Sequence, residues 1–359
     1  MELGAATLGN RLAVAPMTAS QSNPDGTVSA ADLAWMGRLA DDGYGTIITA
    51  AAAVSTGSIA FRNQPSLGGS RFLPGLTALA ARINQGGALS IAQLCHGGSR
   101  AIPELTGVAA GSASAYDLPG VPGFVRPREL TTREIQQIVQ DFAAAASLAV
   151  EAGFGGIEFH GANGYLFTQF LSTMTNHRHD SYGGSLRNRA RISREAVRAV
   201  RACVPDGFVV GFRMTFEGMG MDAGLDIDEG IQVMRWLADD GIDYGHISSL
   251  AAAGASQKYP EQVALTRIRE GIGPDLPLMV AGGIDSLASA QAALDLGADL
   301  VAIARAAIGN ADVPERLARD EALTPTPYLP EALNELAVGA DFQHYLRNGP
   351  VAAMHIVAD

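Results

Sequence analysis

Short apolar runs alternate along the chain with longer segments in which apolar residues recur at helical spacing. Each run follows a polar helix end that is closed by glycine, the residue best suited to the left-handed conformation with which many helices end. Because the runs are apolar at consecutive positions, they are typical of parallel strands that are buried on both faces. Examples are "DDGYGTIITA" (41–50), "NQGGALSIAQL" (84–94), "EAGFGGIEFH" (151–160), "DGIDYGHISS" (240–249) and "DLGADLVAIA" (295–304).

The clearest helical pattern begins at Thr131. Thr131 and Glu134 match a capping box, and apolar residues then recur at helical spacing from Ile135 to Phe142. Other helices are predicted over 31–41, 75–85, 187–203, 227–240, 261–270, 286–296 and 312–320. Strands are predicted over 12–15, 47–50, 88–94, 156–159, 208–213, 243–248, 277–281 and 299–303.

This alternation of strands and helices favours an α/β fold, the single-domain (β/α)8 TIM barrel. The alternative is an open doubly wound sheet, but no G-x-G-x-x-G pattern follows the first strand. We assign the barrel to residues 1–320, with an insertion over 97–130 after the third strand. Residues 321–359 are expected to form a C-terminal tail that packs on the barrel or on a neighbouring subunit.

The charge balance restricts the class of partner. The 359 residues carry a net charge of −12, which disfavours nucleic acid because phosphate backbones are bound by clustered Lys and Arg. Arginines do cluster between 178 and 201, where we expect a solvated outer helix face. The chain has no uncharged apolar run of about 18 residues and no secretory signal pattern, so we expect a cytoplasmic protein without a membrane partner. Formation of a homo-oligomer is left open.

Cysteine usage argues against a disulfide framework or a cysteine-ligated metal. The chain contains only Cys95 and Cys203, and we interpret Cys95 as a small buried apolar residue. No convincing set of metal ligands is present, so no metal is expected.

The active site of a (β/α)8 barrel lies at the carboxyl ends of its strands. Small or polar residues stand at these ends, in strand order: Pro16, Met17, Thr18, Ala51, Gln93, His160, Asn163, Tyr165, Arg213, Gly282, Gly283, Ala304 and Arg305.

The ends of the seventh and eighth strands are typical of a phosphate site. Barrels commonly bind phosphate between these two loops, and Arg305 would add a permanent cation beside Gly282 and Gly283. The glycine pair alone would fit a plain turn equally well.

Arg213 and Gln93 each allow two interpretations. Arg213 ends an apolar strand, so it is either one half of a buried ion pair or a cation that faces the electron-rich edge of a bound ring. Gln93 is either a core amide or a group that donates to and accepts from such an edge.

His160, Asn163 and Tyr165 follow the fourth strand within a few residues. Two donors that converge on one oxygen stabilise a developing enolate, and a tyrosine is a protonated acid at pH 7. Each residue also has an ordinary structural explanation: a core histidine, a turn residue and a packing ring.

The segment 156–191 resembles the Old Yellow Enzyme family of FMN-dependent NAD(P)H:flavin oxidoreductases. It contains the family's pattern H-x-x-[NH]-x-Y, then "QFL", N-x-R-x-D-x-Y-G-G-S and N-R-x-R. Further matches extend over roughly residues 5–320: "NRLAVAPMT", "QLCHGGSR", Arg213, "AGGI" and "ADLVAIAR".

The resemblance implies FMN as cofactor and NADPH or NADH as hydride donor. Pro16, Met17, Thr18 and Ala51 would line the flavin, and Gln93 and Arg213 would contact its pyrimidine side. The phosphate would be held by Gly282, Gly283, Ala304 and Arg305. His160 and Asn163 would hold a substrate carbonyl, and Tyr165 would supply the proton.

The function predicted on this basis is reduction of the C=C bond of a small α,β-unsaturated carbonyl compound. A first alternative keeps FMN but oxidises, isomerises or demethylates a biosynthetic intermediate, in a pocket shaped by Ser20 and the 97–130 insertion. A second is a non-redox barrel, an isomerase or lyase, in which the phosphate site holds the substrate.

Overall fold

In the computed structural model, which describes residues 1–118, 124–218 and 220–358, eight parallel strands close into a barrel. The strands are β1 (Leu12–Val14), β2 (Thr46–Ile48), β3 (Leu89–Cys95), β4 (Gly156–Gly161), β5 (Val209–Met214), β6 (Tyr244–Ser248), β7 (Leu278–Ala281) and β8 (Leu300–Ile303). Each strand pairs with the next along the chain, and β8 pairs with β1, so that the sheet has no free edge. The predicted (β/α)8 barrel is confirmed.

Helices surround the barrel and continue into the C-terminal tail. They are α1 (Ala30–Asp41), α2 (Leu73–Gln85), α3 (Thr132–Glu151), α4 (Arg191–Arg201), α5 (Ile227–Asp240), α6 (Ala264–Ile272), α7 (Leu287–Asp295), α8 (Arg305–Gly309), α9 (Val313–Ala318), α10 (Pro330–Glu335) and α11 (Ala340–Asn348). Three further short α-helices within the described residues cover Pro103–Thr106, Leu166–Leu171 and Leu186–Arg189. The helix predicted over 187–203 is therefore divided near Ala190. No helix in the described part of the chain is both long and apolar enough to cross a membrane.

Two apolar layers hold these elements together. The outer layer packs the helices against the strands, as where Phe142 of α3 lies 5.4 Å from Phe159 of β4 between ring centroids. The inner layer fills the barrel with residues such as Ile48, Met279 and Leu300, none of which is exposed. A filled interior leaves the mouth of the barrel as the place where a ligand can bind.

A short N-terminal hairpin belongs to the inner layer. Glu2–Leu3 pairs with Ala6–Thr7, and Leu3 and Leu8 join the apolar cluster inside the barrel with 0% and 4% exposure. Burial of Leu3 and Leu8 removes their apolar side chains from water, which stabilises the barrel.

The insertion predicted over 97–130 is tied to the barrel by a buried arginine. It includes the paired strands Gly111–Ser112 and Arg128–Glu129, whereas residues 119–123 lie outside the described residues. Arg178 donates to the carbonyl oxygens of Ala113 and Leu130 at 2.8 and 2.7 Å, and it pairs with Asp180. These contacts fix the middle of the insertion and its C-terminal end.

The expectation of a solvated arginine face is therefore wrong for part of the 178–201 cluster. Arg178 is 5% exposed and Arg189 is 4% exposed. Arg189 pairs with Glu229 at 2.6 Å and also donates to the Leu171 carbonyl. Burial of a guanidinium is tolerated here because partners satisfy its charge and its N–H groups.

The C-terminal tail returns to the barrel of its own chain. Tyr328, Leu333 and Phe342 are buried in the outer apolar layer, and the Phe342 ring lies edge-on to Trp35 of α1 at 4.9 Å. The tail thereby places α11 beside the barrel mouth.

Candidate functional site

The carboxyl ends of the strands enclose a cavity of about 500 Å³ at the barrel mouth. Its walls come from β1, β5, β7 and β8 and from the tail segment around Tyr328. Six of the predicted cofactor residues line it together: Pro16, Arg213, Gly282, Gly283, Ala304 and Arg305. Residues far apart in sequence are thus brought to one cavity, as the barrel topology requires.

The glycine pair after β7 is required by its surroundings. Gly282 has φ +145°, and a Cβ there would lie 2.5 Å from the Ser249 carbonyl oxygen. Gly283 also has positive φ, +67°. Only glycine fits such a backbone without strain, so the loop can approach a ligand closely.

Arg305 provides a cation to the same cavity. Its side chain is exposed and forms neither a hydrogen bond nor an ion pair within the described ranges. An unpaired guanidinium beside a close-packed glycine loop is suited to bind a phosphate monoester.

Arg213 is not part of a direct ion pair within the described structure. Its Nη2 donates to Ser248 Oγ at 3.1 Å, its Nη1 lies 3.4 Å from the Pro16 carbonyl oxygen, and its buried Nε has no partner. A buried donor without a partner is unfavourable unless a ligand accepts its hydrogen bond. The geometry therefore favours the ring-edge interpretation over the buried ion pair.

Gln93 belongs to a buried network inside the barrel. Its Nε2 donates to Glu158 Oε1 at 2.8 Å, while Glu158 Oε2 accepts from the Tyr244 hydroxyl at 2.9 Å and lies 2.8 Å from His246 Nδ1. Because the amide nitrogen is engaged, the Gln93 side-chain oxygen is oriented away from the carboxylate.

Glu158 balances the charge of the barrel mouth. Burial raises the pKa of the Glu158 carboxyl, but His246, Arg213 and Gln93 together lower it more, so it lies below its ordinary value. Glu158 is therefore a buried anion beneath the Arg213 cation, which explains how an unpaired arginine is tolerated there.

Met17, Thr18 and Ala51 are placed around the site in different ways. Met17 is half-buried, and Thr18 lines a second cavity of about 430 Å³ beside the hydroxyl of Tyr345. Ala51 is buried beside Cys95 and Tyr165, and its carbonyl accepts from Gln64 at 3.0 Å.

His160, near the end of β4, and Tyr165, in the turn that follows, lie side by side. Their ring centroids are 4.6 Å apart, and both residues are buried, at 6% and 7% exposure. Burial, with Arg213 and Arg100 nearby, holds the pKa of His160 well below its usual range, so the ring is neutral at pH 7. His160 Nδ1 has no hydrogen-bond partner in the described structure.

Tyr165 is held in its protonated form. Burial raises the pKa of its hydroxyl, and the nearby Arg100 only partly opposes this effect. The side chain lines the cavity of about 430 Å³ together with Thr18 and Tyr345. It can therefore donate a proton to a molecule in that cavity.

Asn163 is exposed in the turn that follows β4. It has φ +57°, a left-handed conformation that asparagine tolerates better than most residues, and it lines a third cavity of about 420 Å³. Its carbonyl accepts from Arg100 Nη1 at 2.6 Å. His160 and Tyr165 thus lie together on the buried side, whereas Asn163 lines a different cavity from Tyr165.

Sequence reasoning missed Glu158, Arg100 and Tyr345. The acid in the apolar run "GIEFH" was a usable signal for Glu158, since a charge in a buried strand must be compensated. Tyr345 reaches the site from α11, more than 300 residues after Thr18, and no local pattern indicates that contact.

The residues present fit a flavin phosphate. The orphaned donor of Arg213 and the unpaired Arg305 lie on one cavity. The protonated Tyr165 lines the next, and the neutral His160 packs against its ring. Among the described residues, no group of three or more His, Cys, Asp or Glu side chains could hold a metal ion. These features fit the site of a barrel enzyme with an anionic, ring-bearing cofactor.

The comparisons with known proteins agree with this class. Residues 1–323 match the model of the NADH:flavin oxidoreductase / NADH oxidase family. The chain is 36% identical to the probable NADH-dependent flavin oxidoreductase YqiG of Bacillus subtilis over 310 residues, covering 83% of this chain and 81% of that protein. Four other relatives are longer than this chain, which spans 35% to 50% of their length.

The solved structures that resemble this chain indicate the same family. The old yellow enzyme homologue of Zymomonas mobilis superposes with a TM-score of 0.82 at 27% identity, covering 94% of this chain and 98% of that one. Morphinone reductase in complex with tetrahydroNAD superposes with a TM-score of 0.81 at 29% identity, covering 93% and 92%. The chain belongs to the NADH:flavin oxidoreductase / NADH oxidase family and is an Old Yellow Enzyme relative. It is an FMN-dependent oxidoreductase with a nicotinamide donor, so the non-redox alternative is excluded.

Proposed function

We propose that this protein is an ene-reductase, which uses NADH or NADPH to reduce the C=C bond of a small α,β-unsaturated carbonyl compound. The observation that carries the proposal is the contact between a neutral, buried His160 and a protonated Tyr165 that lines a cavity, with ring centroids 4.6 Å apart. A neutral imidazole can donate one hydrogen bond to a carbonyl oxygen without giving up its proton.

The predicted cofactor residues would hold FMN across the mouth. Arg305 and the Gly282–Gly283 loop would bind the phosphate, and Arg213 would donate to the ring. Bound FMN would supply hydride transfer from the nicotinamide to the β-carbon of the substrate. Arg213 would stabilise negative charge on the edge of the bound ring, because its buried cation has no direct ion pair among the described residues.

The substrate would be polarised and protonated by the residues after β4. His160 and Asn163 would donate hydrogen bonds to the carbonyl oxygen, which carries negative charge as the β-carbon accepts hydride. The Tyr165 hydroxyl would then give its proton to the α-carbon and recover it from solvent through the cavity that it lines. Cys95 is not a candidate nucleophile, because complete burial raises the pKa of its thiol to about 12.

Rapid-mixing experiments on Tyr165→Phe test the proposal. Reoxidation of the reduced enzyme by 2-cyclohexenone should slow by about 100-fold or more, because the proton donor is lost. Reduction by NADH or NADPH should stay within a few-fold of the unchanged enzyme, since that step needs no proton from Tyr165.

Tyr182→Phe is the matched control, because this hydroxyl donates to Glu195 at 2.8 Å away from the cavities. An equal loss in both half-reactions of Tyr165→Phe would reject the assigned proton-donor role. Substrate turnover that proceeds without any nicotinamide would instead favour an isomerising function of the same site.

A further inference from the structure

We infer that Arg100 forms a carboxylate-binding subsite, so that the preferred substrate is an unsaturated carbonyl compound bearing an anionic group. This inference rests on the proposed function, because it concerns the substrate of the same site. The observation behind it concerns the Arg100 cation, which lies beside the proposed proton donor. Arg100 has no acidic partner in the described chain.

Arg100 is positioned by the turn that follows β3. The 3-10 turn Gly98–Arg100 places its guanidinium 4.4 Å from the centre of the Tyr165 ring. One N–H group, on Nη1, donates to the Asn163 carbonyl at 2.6 Å. These two contacts orient the planar guanidinium at the wall of the 430 Å³ cavity that it lines.

The remaining donors of Arg100 are available to a ligand. Nη1 to Asn163 is its one side-chain hydrogen bond within the described ranges, and no carboxylate there comes within ion-pair distance. By contrast, the buried Arg189 and the half-buried Arg194 are each paired with an acid at 2.6 Å. A guanidinium fork with free N–H groups matches the two oxygens of a carboxylate.

The charges around the cavity favour an anion. Arg62 is exposed on the same wall, whereas Asp341 is the acid among the lining residues. A cavity with two arginines and one acid contrasts with a chain of net charge −12. The local field therefore concentrates small anions near Tyr165.

Asp222 does not neutralise Arg100. Its carboxylate accepts from the Gly164 backbone at 2.7 Å and lines the neighbouring cavity, beyond ion-pair distance of Arg100. Burial raises the pKa of this carboxyl above its ordinary value, and the Gly164 hydrogen bond and the charge of Arg100 only partly oppose the effect. Arg100 is thus left as a cation without an acidic partner in the described chain, directly over the ring of Tyr165.

A purely structural role for Arg100 makes a different prediction. Arg100 also holds the left-handed turn of Asn163 and stacks on Tyr165, so its loss could disturb both residues for every substrate. The experiment must therefore compare a charged substrate with a neutral one of the same shape.

The test uses 4-oxo-2-pentenoate and its carboxamide with the FMN-loaded enzyme. The unchanged enzyme should prefer the carboxylate in kcat/KM. In Arg100→Gln the kcat/KM ratio of carboxylate to amide should fall by about 10- to 100-fold, which is the effect of one charge-assisted hydrogen-bond pair. Arg100→Lys should retain part of the preference, because it keeps the charge but loses the fork.

Arg71→Gln is the matched control. Arg71 also stacks on an aromatic ring, 4.3 Å from the centre of Phe72, but it does not line this cavity. Its loss should leave the ratio unchanged. An equal decrease for both substrates in Arg100→Gln would overturn the subsite and leave Arg100 as a support for the turn.

A binding measurement separates this inference from the proposed function. Benzoate and benzamide are titrated into the oxidised enzyme, and binding is followed by the change in flavin absorbance. Benzoate should bind more tightly, with a preference that falls in Arg100→Gln and at high salt. If the enzyme reduces neither enone but keeps this preference, the proposed function fails and the subsite stands; no preference for benzoate rejects the subsite.

Discussion

Burial lowers the pKa of three imidazoles, those of His96, His160 and His246. The pKa of His96 falls to about 4. Glu158 opposes the effect at His246 but does not reverse it. All three rings are therefore neutral at pH 7, and His96 uses its neutral Nδ1 to accept from the Gly98 backbone at 3.0 Å.

His96 should make stability depend on pH. The unfolded chain takes up a proton near pH 6.5, whereas folded His96 does so only near pH 4, so the unfolded state binds more protons between these values. The free energy of unfolding should therefore fall as pH decreases through this window, with a contribution from His96 of about 1.4 kcal/mol per pH unit. Urea unfolding at pH 7, 6 and 5 measures it.

His96→Asn should reduce that dependence. Asparagine can still accept from the Gly98 backbone but carries no titrating ring. The exposed His179 provides the control, since His179→Asn removes an imidazole that stays hydrated in both states. An unchanged pH slope in His96→Asn would contradict the assignment.

Among the elements, α3 has a starting point that is clearly set by residues adjacent in sequence. Thr131 Oγ1 accepts from the Glu134 backbone at 3.3 Å, and Glu134 Oε2 accepts from the Thr131 backbone at 2.8 Å, which confirms the predicted capping box. Arg128 pairs with the same carboxylate at 2.6 Å. Since these residues are exposed, we attribute their effect to satisfied backbone donors rather than to the ion pair.

Thr131→Ala should destabilise the protein by about 1 kcal/mol, because the first turn of α3 loses its side-chain acceptor. The midpoint of urea unfolding should fall with an unchanged slope. Ser147→Ala, an exposed position near the other end of the same helix, is expected to be neutral or slightly stabilising. If Ser147→Ala lowered the free energy of unfolding more than Thr131→Ala, the cap would not be the stabilising feature.

At the scale of the whole molecule, the tail and the barrel share one core. Phe342 is fully buried against Trp35, and Ile356 and Val357 are also buried. Tyr328 donates to the Arg305 carbonyl at 3.2 Å, so the tail also supports the loop that carries the proposed phosphate ligand. Stability and the cofactor cavity are therefore coupled through the tail.

Phe342→Ala should destabilise the protein by about 3–5 kcal/mol, because a large buried ring is replaced by a cavity. Urea unfolding followed by tryptophan fluorescence measures the loss. Leu329→Ala, at a position 63% exposed in the same tail, should change stability by less than about 0.5 kcal/mol. If the tail unfolded independently, Phe342→Ala would leave the main transition unchanged and expose the tail to proteolysis.

The sequence alone determined the barrel and most of the residues at its mouth. Buried parallel strands impose a consecutive apolar pattern, and glycine closes the helices between them, so the order of elements is local information. The segment from His160 to Tyr165 is local as well, because one short turn carries all three side chains.

Only the tertiary structure decided which charges are compensated. Arg178 and Arg189 look like surface residues in sequence, yet partners from distant segments bury them. Arg213 was ambiguous until its neighbours showed no direct ion pair in the described chain, and Arg100 and Tyr345 reached the site only through contacts between strand ends and the tail. The physical reason is that the environment of a charge depends on what surrounds it in space, and neighbours in sequence supply only part of those surroundings.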